Sequence, residues 1–410
     1  MTDQVAAGHN ELPEFSSGCI LELLMRLGLG KSPQQAAVSA VLLFVTLAWV
    51  ACLLLCLSSG SAFGQSLQVP FFGDYVSSAR FLVVVPILIL SDLVTRKWSL
   101  RTLRHFLQDH IVPADAAQYK AMVARNIQLR DSPYIVCGLL LLAFAYSPVW
   151  VDIILAVHCT NWQVVASDGQ SVLSPAGPWN AYVSQPLFRF VLLDWLWGYL
   201  LWANLLFKIS RFPLRVSATH PDCVGGLGFI AVGHSYFGLA AFAMSVGVCT
   251  FVAQTVLETH TNLQAFSNLG IVFVLLMLLL YLGPLLVFTP LLVKTRREAV
   301  FTYGSLCHQV NSLFSTTWLD SNLESETEPR SEPKIGSKSA DSAALILSTE
   351  PSTVTDLNSS FLNIQNMKPF VFGKETLMAF LVAVALPAIP LIATVIPLKD
   401  LLKELAKALT

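Results

Sequence analysis

Residues 36–57 read AAVSAVLLFVTLAWVACLLLCL, 22 consecutive positions without a charged side chain. A bilayer's hydrocarbon core is about 30 Å thick, and a helix rising about 1.5 Å per residue crosses it in about 20 apolar residues. The run therefore reads as a membrane span. The polar stretch ahead of it carries Asp3, Glu11 and Glu14, unlike the basic opening of a cleavable signal peptide, so the span is expected to stay in the chain. Between them, residues 20–29 (ILELLMRLGL) are amphipathic and end in Gly30, Lys31 and Ser32. They suit a helix lying at the membrane surface or an ordinary cap on a bundle, and both readings stay open.

Working outward, apolar runs of similar length recur at 76–95, 134–156, 186–209, 236–256, 268–293 and 377–397. The second is short between Arg80 and Asp92, and the seventh is interrupted by Pro387, Pro390 and Pro397, as in a broken or re-entrant segment. The fold expected is all-α: a polytopic transmembrane helix bundle of six to seven membrane segments, with interfacial helices on the cytoplasmic side. Composition agrees, since 54% of the 410 residues are hydrophobic and 12% charged, about half the ~25% of a soluble domain. The formal net charge of -1 excludes a basic nucleic-acid surface. Eight scattered cysteines without CxxC or Cys/His spacing suggest neither a disulfide framework nor a metal site. The sequence names no cofactor.

Orientation follows from the basic residues. Arg96, Lys97, Arg101, Arg104, Lys120, Arg125 and Arg130 follow the second span, Lys208, Arg211 and Arg215 the fourth, and Lys294, Arg296 and Arg297 the sixth. Residues 158–185 and 257–267 contain no Lys or Arg, so the N-terminus is expected in the cytoplasm. Seven crossings would put Lys399, Lys403 and Lys407 outside, whereas a re-entrant last segment would return them. Four regions result: a cytoplasmic N-terminal segment (1–35), the bundle with its cytoplasmic helices (36–318), a flexible Ser/Glu/Thr/Pro linker (319–366), and a Pro-broken membrane segment with amphipathic tail (367–410). The basic stretch 95–132 reads as one or two interfacial helices held by anionic lipid. The bilayer is the expected partner, and the reading allows an oligomer.

Charges inside a bilayer cost about 2.5–3.5 kcal/mol each and so mark candidate sites. Asp92 is one turn from Arg96, and a local ion pair accounts for it. Asp152 and Arg189 both sit near outer ends and are expected to pair. Asp194, about 12 Å inside if counted from Pro186, and Asn204 form a candidate intramembrane polar site, as a cation or proton site or as a neutral hydrogen-bonded acid. Gly198, one turn on, admits a close neighbour.

The loop after the fourth span reads HPDCVGGLGF from His220 to Phe229. Gly225, Gly226 and Gly228 permit positive backbone angles, and the amides beside Arg211 and Arg215 suit an anion. His220 and Asp222, with His234 and Asn204, make a candidate cytoplasm-facing cluster for acid–base work. A turn that merely joins two helices is the competing reading, and the spacing is not that of a phosphate loop.

HPDCVGGLGF, with MKPF from Met367 and ALPAIPLIATVIP from Ala385, resembles an uncharacterised family of bacterial integral membrane proteins over most of the chain. The resemblance implies a multi-span protein of the bacterial inner membrane and no particular activity. Two functions stand. A transporter or channel would use Asp194, Asn204 and the Pro-interrupted segments at Pro284 and Pro290, while a membrane-embedded enzyme or sensor would use the HPD loop. Permeation is slightly favoured, against the absence of an internal repeat.

Overall fold

The computed structural model describes residues 19–63, 67–112, 116–156, 160–167, 170–315 and 351–393. The helices are α1 (Cys19–Arg26), α2 (Pro33–Ser58), α3 (Tyr75–Gln108), α4 (Ala116–Arg130), α5 (Pro133–Ala156), α6 (Ala176–Ile209), α7 (Gly228–Thr259), α8 (Leu263–Leu286), α9 (Thr289–Phe314), α10 (Pro351–Gln365), α11 (Lys374–Ala385) and α12 (Ala388–Ala393). Strands β1 (Val164–Ser167) and β2 (Gln170–Leu173) pair as an antiparallel hairpin. Among the described residues six helices, α2, α3, α5, α6, α7 and α8, are long and apolar enough to cross a membrane. The chain is a multi-pass membrane protein with an all-α bundle.

Several boundaries differ from the sequence reading. α3 does not stop at 95 but runs 34 residues to Gln108, because Leu103, Phe106 and Leu107 bury the face that continues its apolar stripe. α6 begins at Ala176 rather than Pro186 and is also 34 residues long. The sixth span ends at Leu286, and a turn at 287–288 precedes α9. Pro290 falls in the first turn of that new helix, where a missing N–H costs nothing. The seventh segment is two short helices, α11 and α12, interrupted at Leu386 and Pro387. The side on which Lys399, Lys403 and Lys407 emerge lies outside the described residues.

The chain divides into two compact units. The first comprises Met1–Pro213, Val232–Pro284 and Gly373–Thr410. Ser32 caps α2 by accepting the amide of Gln35 at 3.3 Å, with Pro33 behind it. Asp74 caps α3, accepting the Ser77 amide at 2.8 Å, and it also receives the Trp162 indole at 2.9 Å. Trp162 is fully buried with Cys52, Cys56, Phe71 and Ala176, so the described residues between α5 and α6, 160–167 and 170–175, fold into a cap tied to α2. Three spans contain a widened π-helical turn: Thr46–Val50 in α2, Arg80–Val84 in α3 and Asn180–Ser184 in α6. Side chains of α6 satisfy carbonyls of the α2 turn, Trp179 Nε1 donating to Leu47 at 2.8 Å and Ser184 Oγ to Ala48 at 2.9 Å.

The second unit is Leu214–Ala231 with Leu285–Phe372. Of the flexible linker expected over 319–366, residues 319–350 lie outside the described residues, and 351–365 are instead the helix α10. Val354, Leu357, Phe361 and Ile364 recur at helical spacing, and Ile364 is fully buried. Arg296 of α9 donates to the Gln365 carbonyl at 2.7 Å.

Candidate functional site

Asp92 lies 17 residues into α3 and Asp194 18 residues into α6, about 26 and 27 Å along their helices. Asp194 thus lies further along its helix than a count from Pro186 gives. Between them stands Arg130, the last residue of α4, whose side chain is 7% exposed. Its guanidinium donates to both oxygens of Asp194, Nη1–Oδ1 at 2.7 Å and Nη2–Oδ2 at 2.9 Å. The same Nη2 reaches Asp92 Oδ1 at 3.1 Å. Arg96 adds Nε to Asp92 Oδ2 at 2.8 Å and Nη1 to Asp131 Oδ1 at 3.0 Å. The local Asp92–Arg96 pair is therefore present, but as one edge of a five-residue network.

Burial works against the Arg130 charge, yet Asp92 and Asp194 outweigh it, so the guanidinium is held protonated more firmly than an ordinary arginine. Gly198 makes the room: a Cβ there would stand 2.8 Å from Arg130 Nε. The close neighbour that Gly198 admits is this side chain. Three carboxylates against two guanidiniums leave the network with a formal charge of -1, and Asp131 Oδ2 is buried without a hydrogen-bond partner.

Two cavities adjoin the network. The larger, about 180 Å³, is walled by Leu43, Phe44, Leu47, Leu88, Leu187 and Phe190 among others, and its charged floor is Asp92, Arg96, Arg130 and Asp194. The smaller, about 50 Å³, shares Asp92, Arg96, Arg130 and Trp195 and continues along the same two helices to Thr95, Ser99, Asn126, Gly198 and Trp202. Thr95 Oγ1 is buried there without a partner, and the space suffices for a few waters. The two cavities thus share the ion-paired residues as common lining.

The HPD loop is organised differently from the acid–base cluster expected of it. Asp222 accepts the amides of Val224 at 2.9 Å, Gly226 at 3.0 Å and Gly228 at 3.1 Å, and the His220 Nδ1 lies 2.8 Å from its Oδ1. Partial burial opposes the charge, but these donors prevail and hold the carboxyl below its ordinary range. Asp222 thus caps α7 and closes the turn, and the amides imagined for an anion point at it instead. Gly225 and Gly226 have φ of +72° and +85°, and a Cβ on Gly225 would collide with Val216. The Lys368 amide donates to the Cys223 carbonyl at 2.7 Å, so the 367–370 segment packs on the HPD turn.

His234 belongs to the first unit, and its ring is fully buried. Trp202 Nε1 donates to its Nδ1 at 3.2 Å, and its Nε2 stands 2.8 Å from the Tyr281 carbonyl. That pattern fixes the neutral Nε2–H form with both nitrogens used. His220 and Asp222 meet, while His234 is a satisfied core histidine. Asn204 is exposed, on a groove with Gln118, Arg125 and Lys208, and so forms no site with Asp194.

The Asp152–Arg189 pair is also corrected. Among the described residues no such ion pair forms. Arg189 Nη1 donates to the Ala143 carbonyl at 3.1 Å and to Ser147 Oγ at 3.3 Å, and its guanidinium lies 4.8 Å from the Tyr146 ring centroid. Asp152, more than a turn beyond Ser147, is exposed. Arg130 and Asp131 were missed as site residues because they sit in a basic stretch that reads as surface. The signal was an unpaired Asp194 in the middle of a span, for which a guanidinium just ahead of the next apolar run is the natural partner. No family model, curated protein or solved structure matches the chain.

Proposed function

We propose that the protein is a transporter or permeation protein of the bacterial inner membrane, with a cytoplasmic N-terminus, whose path runs through the first unit and is closed by Arg130. The observation that carries this reading is the pair of cavities that share one ion-pair network, lined by successive turns of α3 and α6. A substrate moving between them must part Arg130 from Asp92 or Asp194. Buried ion pairs favour two discrete states, paired or parted, because a half-broken pair leaves an uncompensated charge. The asymmetry of basic residues and the resemblance of the HPD and MKPF segments support the membrane and the orientation. The enzyme or sensor reading loses its support, since Asp222 and His234 are consumed by structure.

The test is chemical access in a cysteine-free background. Leu88→Cys, on the wall of the larger cavity, should resist a water-soluble thiol reagent applied from the Arg96 side and become reactive when Arg130→Gln is added. Equal reactivity in both backgrounds would show that Arg130 closes nothing. Asn262→Cys should be labelled from outside intact cells, and failure there would reverse the orientation.

A further inference from the structure

We infer that the larger cavity binds a small lipophilic amine: a hydrocarbon or aromatic body with one cationic, hydrogen-bond-donating head. This names the substrate class of the gated path and so rests on the reading above.

The body follows from the walls. Leu43, Phe44, Leu47, Leu88, Leu187 and Phe190 present hydrocarbon only, in a space of about 180 Å³. An apolar cavity of about 150 Å³ accepts benzene, so one ring with a short arm fits. The cavity lies among membrane-spanning helices, and its occupants are molecules that partition into the bilayer.

The head follows from the floor. An anion would add a further negative charge to a network already at formal -1, beside carboxylates that Arg130 and Arg96 hold. A neutral head would leave the network at its formal -1. An ammonium brings the sum to zero and meets acceptors with spare lone pairs on Asp92 and Asp194. Asp131, which gives the network its surplus charge, lies outside the cavity lining and acts on the head through Arg96.

The experiment is equilibrium dialysis of the intact protein in lipid nanodiscs, with empty discs as the blank. The probes share a body and differ in head: 4-phenylbutylamine, 4-phenylbutanol and 4-phenylbutyrate. The amine should bind saturably at one per chain, about tenfold or more tighter than the other two, the weight of one uncompensated buried charge. Val191→Trp fills the cavity without touching a charge and should abolish binding. Asp194→Asn should weaken the amine and leave the alcohol unchanged. Equal binding of the alcohol or tighter binding of the butyrate overturns the inference, as does amine binding that survives Val191→Trp or never exceeds empty discs. Those failures leave the closure by Arg130 to the cysteine test, which does not depend on any ligand.

Discussion

Arg130 and Asp194, 64 residues apart in sequence, meet in two parallel hydrogen bonds of 2.7 and 2.9 Å. This two-pronged geometry ties the end of α4 to the middle of α6, and a lysine cannot reproduce it. Arg130→Met should therefore cost about 3–5 kcal/mol, because it strands the buried carboxylate of Asp194. Adding Asp194→Leu should recover part of the loss. Thermal unfolding of single and double variants in detergent measures the coupling, and additive losses would contradict the pairing.

Gly198 is required by the same guanidinium. With a Cβ arriving 2.8 Å from Nε, Gly198→Ala should destabilise by about 1–3 kcal/mol despite alanine's better helix propensity. Gly138, whose Cβ would meet nothing within 4 Å, serves as the control, and Gly138→Ala should be neutral or stabilising.

Asp222 sets a pH dependence. Its folded-state value lies below the ordinary 3.8, so its contribution is present in full above that ordinary value and fades as pH falls through the lowered one. Asp222→Ala should cost about 1–2 kcal/mol, as loss of a cap does. It should also speed hydrogen exchange at Val224, Gly226 and Gly228 at neutral pH. Unchanged exchange at those three amides would mean the carboxylate is not what holds the turn.

His234 should carry its ring proton on Nε2, facing the Tyr281 carbonyl, as imidazole nitrogen NMR at neutral pH would report. His234→Phe keeps the ring but leaves the Trp202 indole and Tyr281 carbonyl unpaired. It should cost about 1–3 kcal/mol.

Asp152 and Arg189 should behave as strangers. Because Arg189 turns its Nη1 to Ala143 and Ser147 and its guanidinium to the Tyr146 ring, a double-mutant cycle between them should give losses that add. A coupling well above 0.5 kcal/mol would restore the ion pair expected from their sequence positions.

What sequence reveals here depends on distance along the chain. Apolar run length is a local property, so spans such as 36–57 are readable to within a few residues. The Asp92–Arg96 pair is one turn apart and equally plain. Arg130 is different: its flanking Arg125 and Asn126 resemble any surface helix, and only the fold shows that it turns inward toward α3 and α6. The HPD loop misleads for the opposite reason. Its residues have the chemistry of a site, but the three glycine-spaced amides are near enough in sequence to consume Asp222 before any ligand can. α10 was hidden by the polar composition around it, although the spacing of Val354, Leu357, Phe361 and Ile364 carried it.

The widened turns in α3 and α6 make the reading frame of the bundle sensitive to a single residue. Each such turn is in effect a one-residue insertion into an α-helix, and it rotates everything downstream by about 100°. Both Arg80–Val84 and Asn180–Ser184 lie upstream of a carboxylate that Arg130 binds. Removing one residue from either turn would give a more regular helix and swing Asp92 or Asp194 off the guanidinium. The ion pairs are thus placed by where two widened turns fall as much as by which side chains meet, and in-frame deletion of Leu82 or Tyr182 should part them without altering a single charged residue.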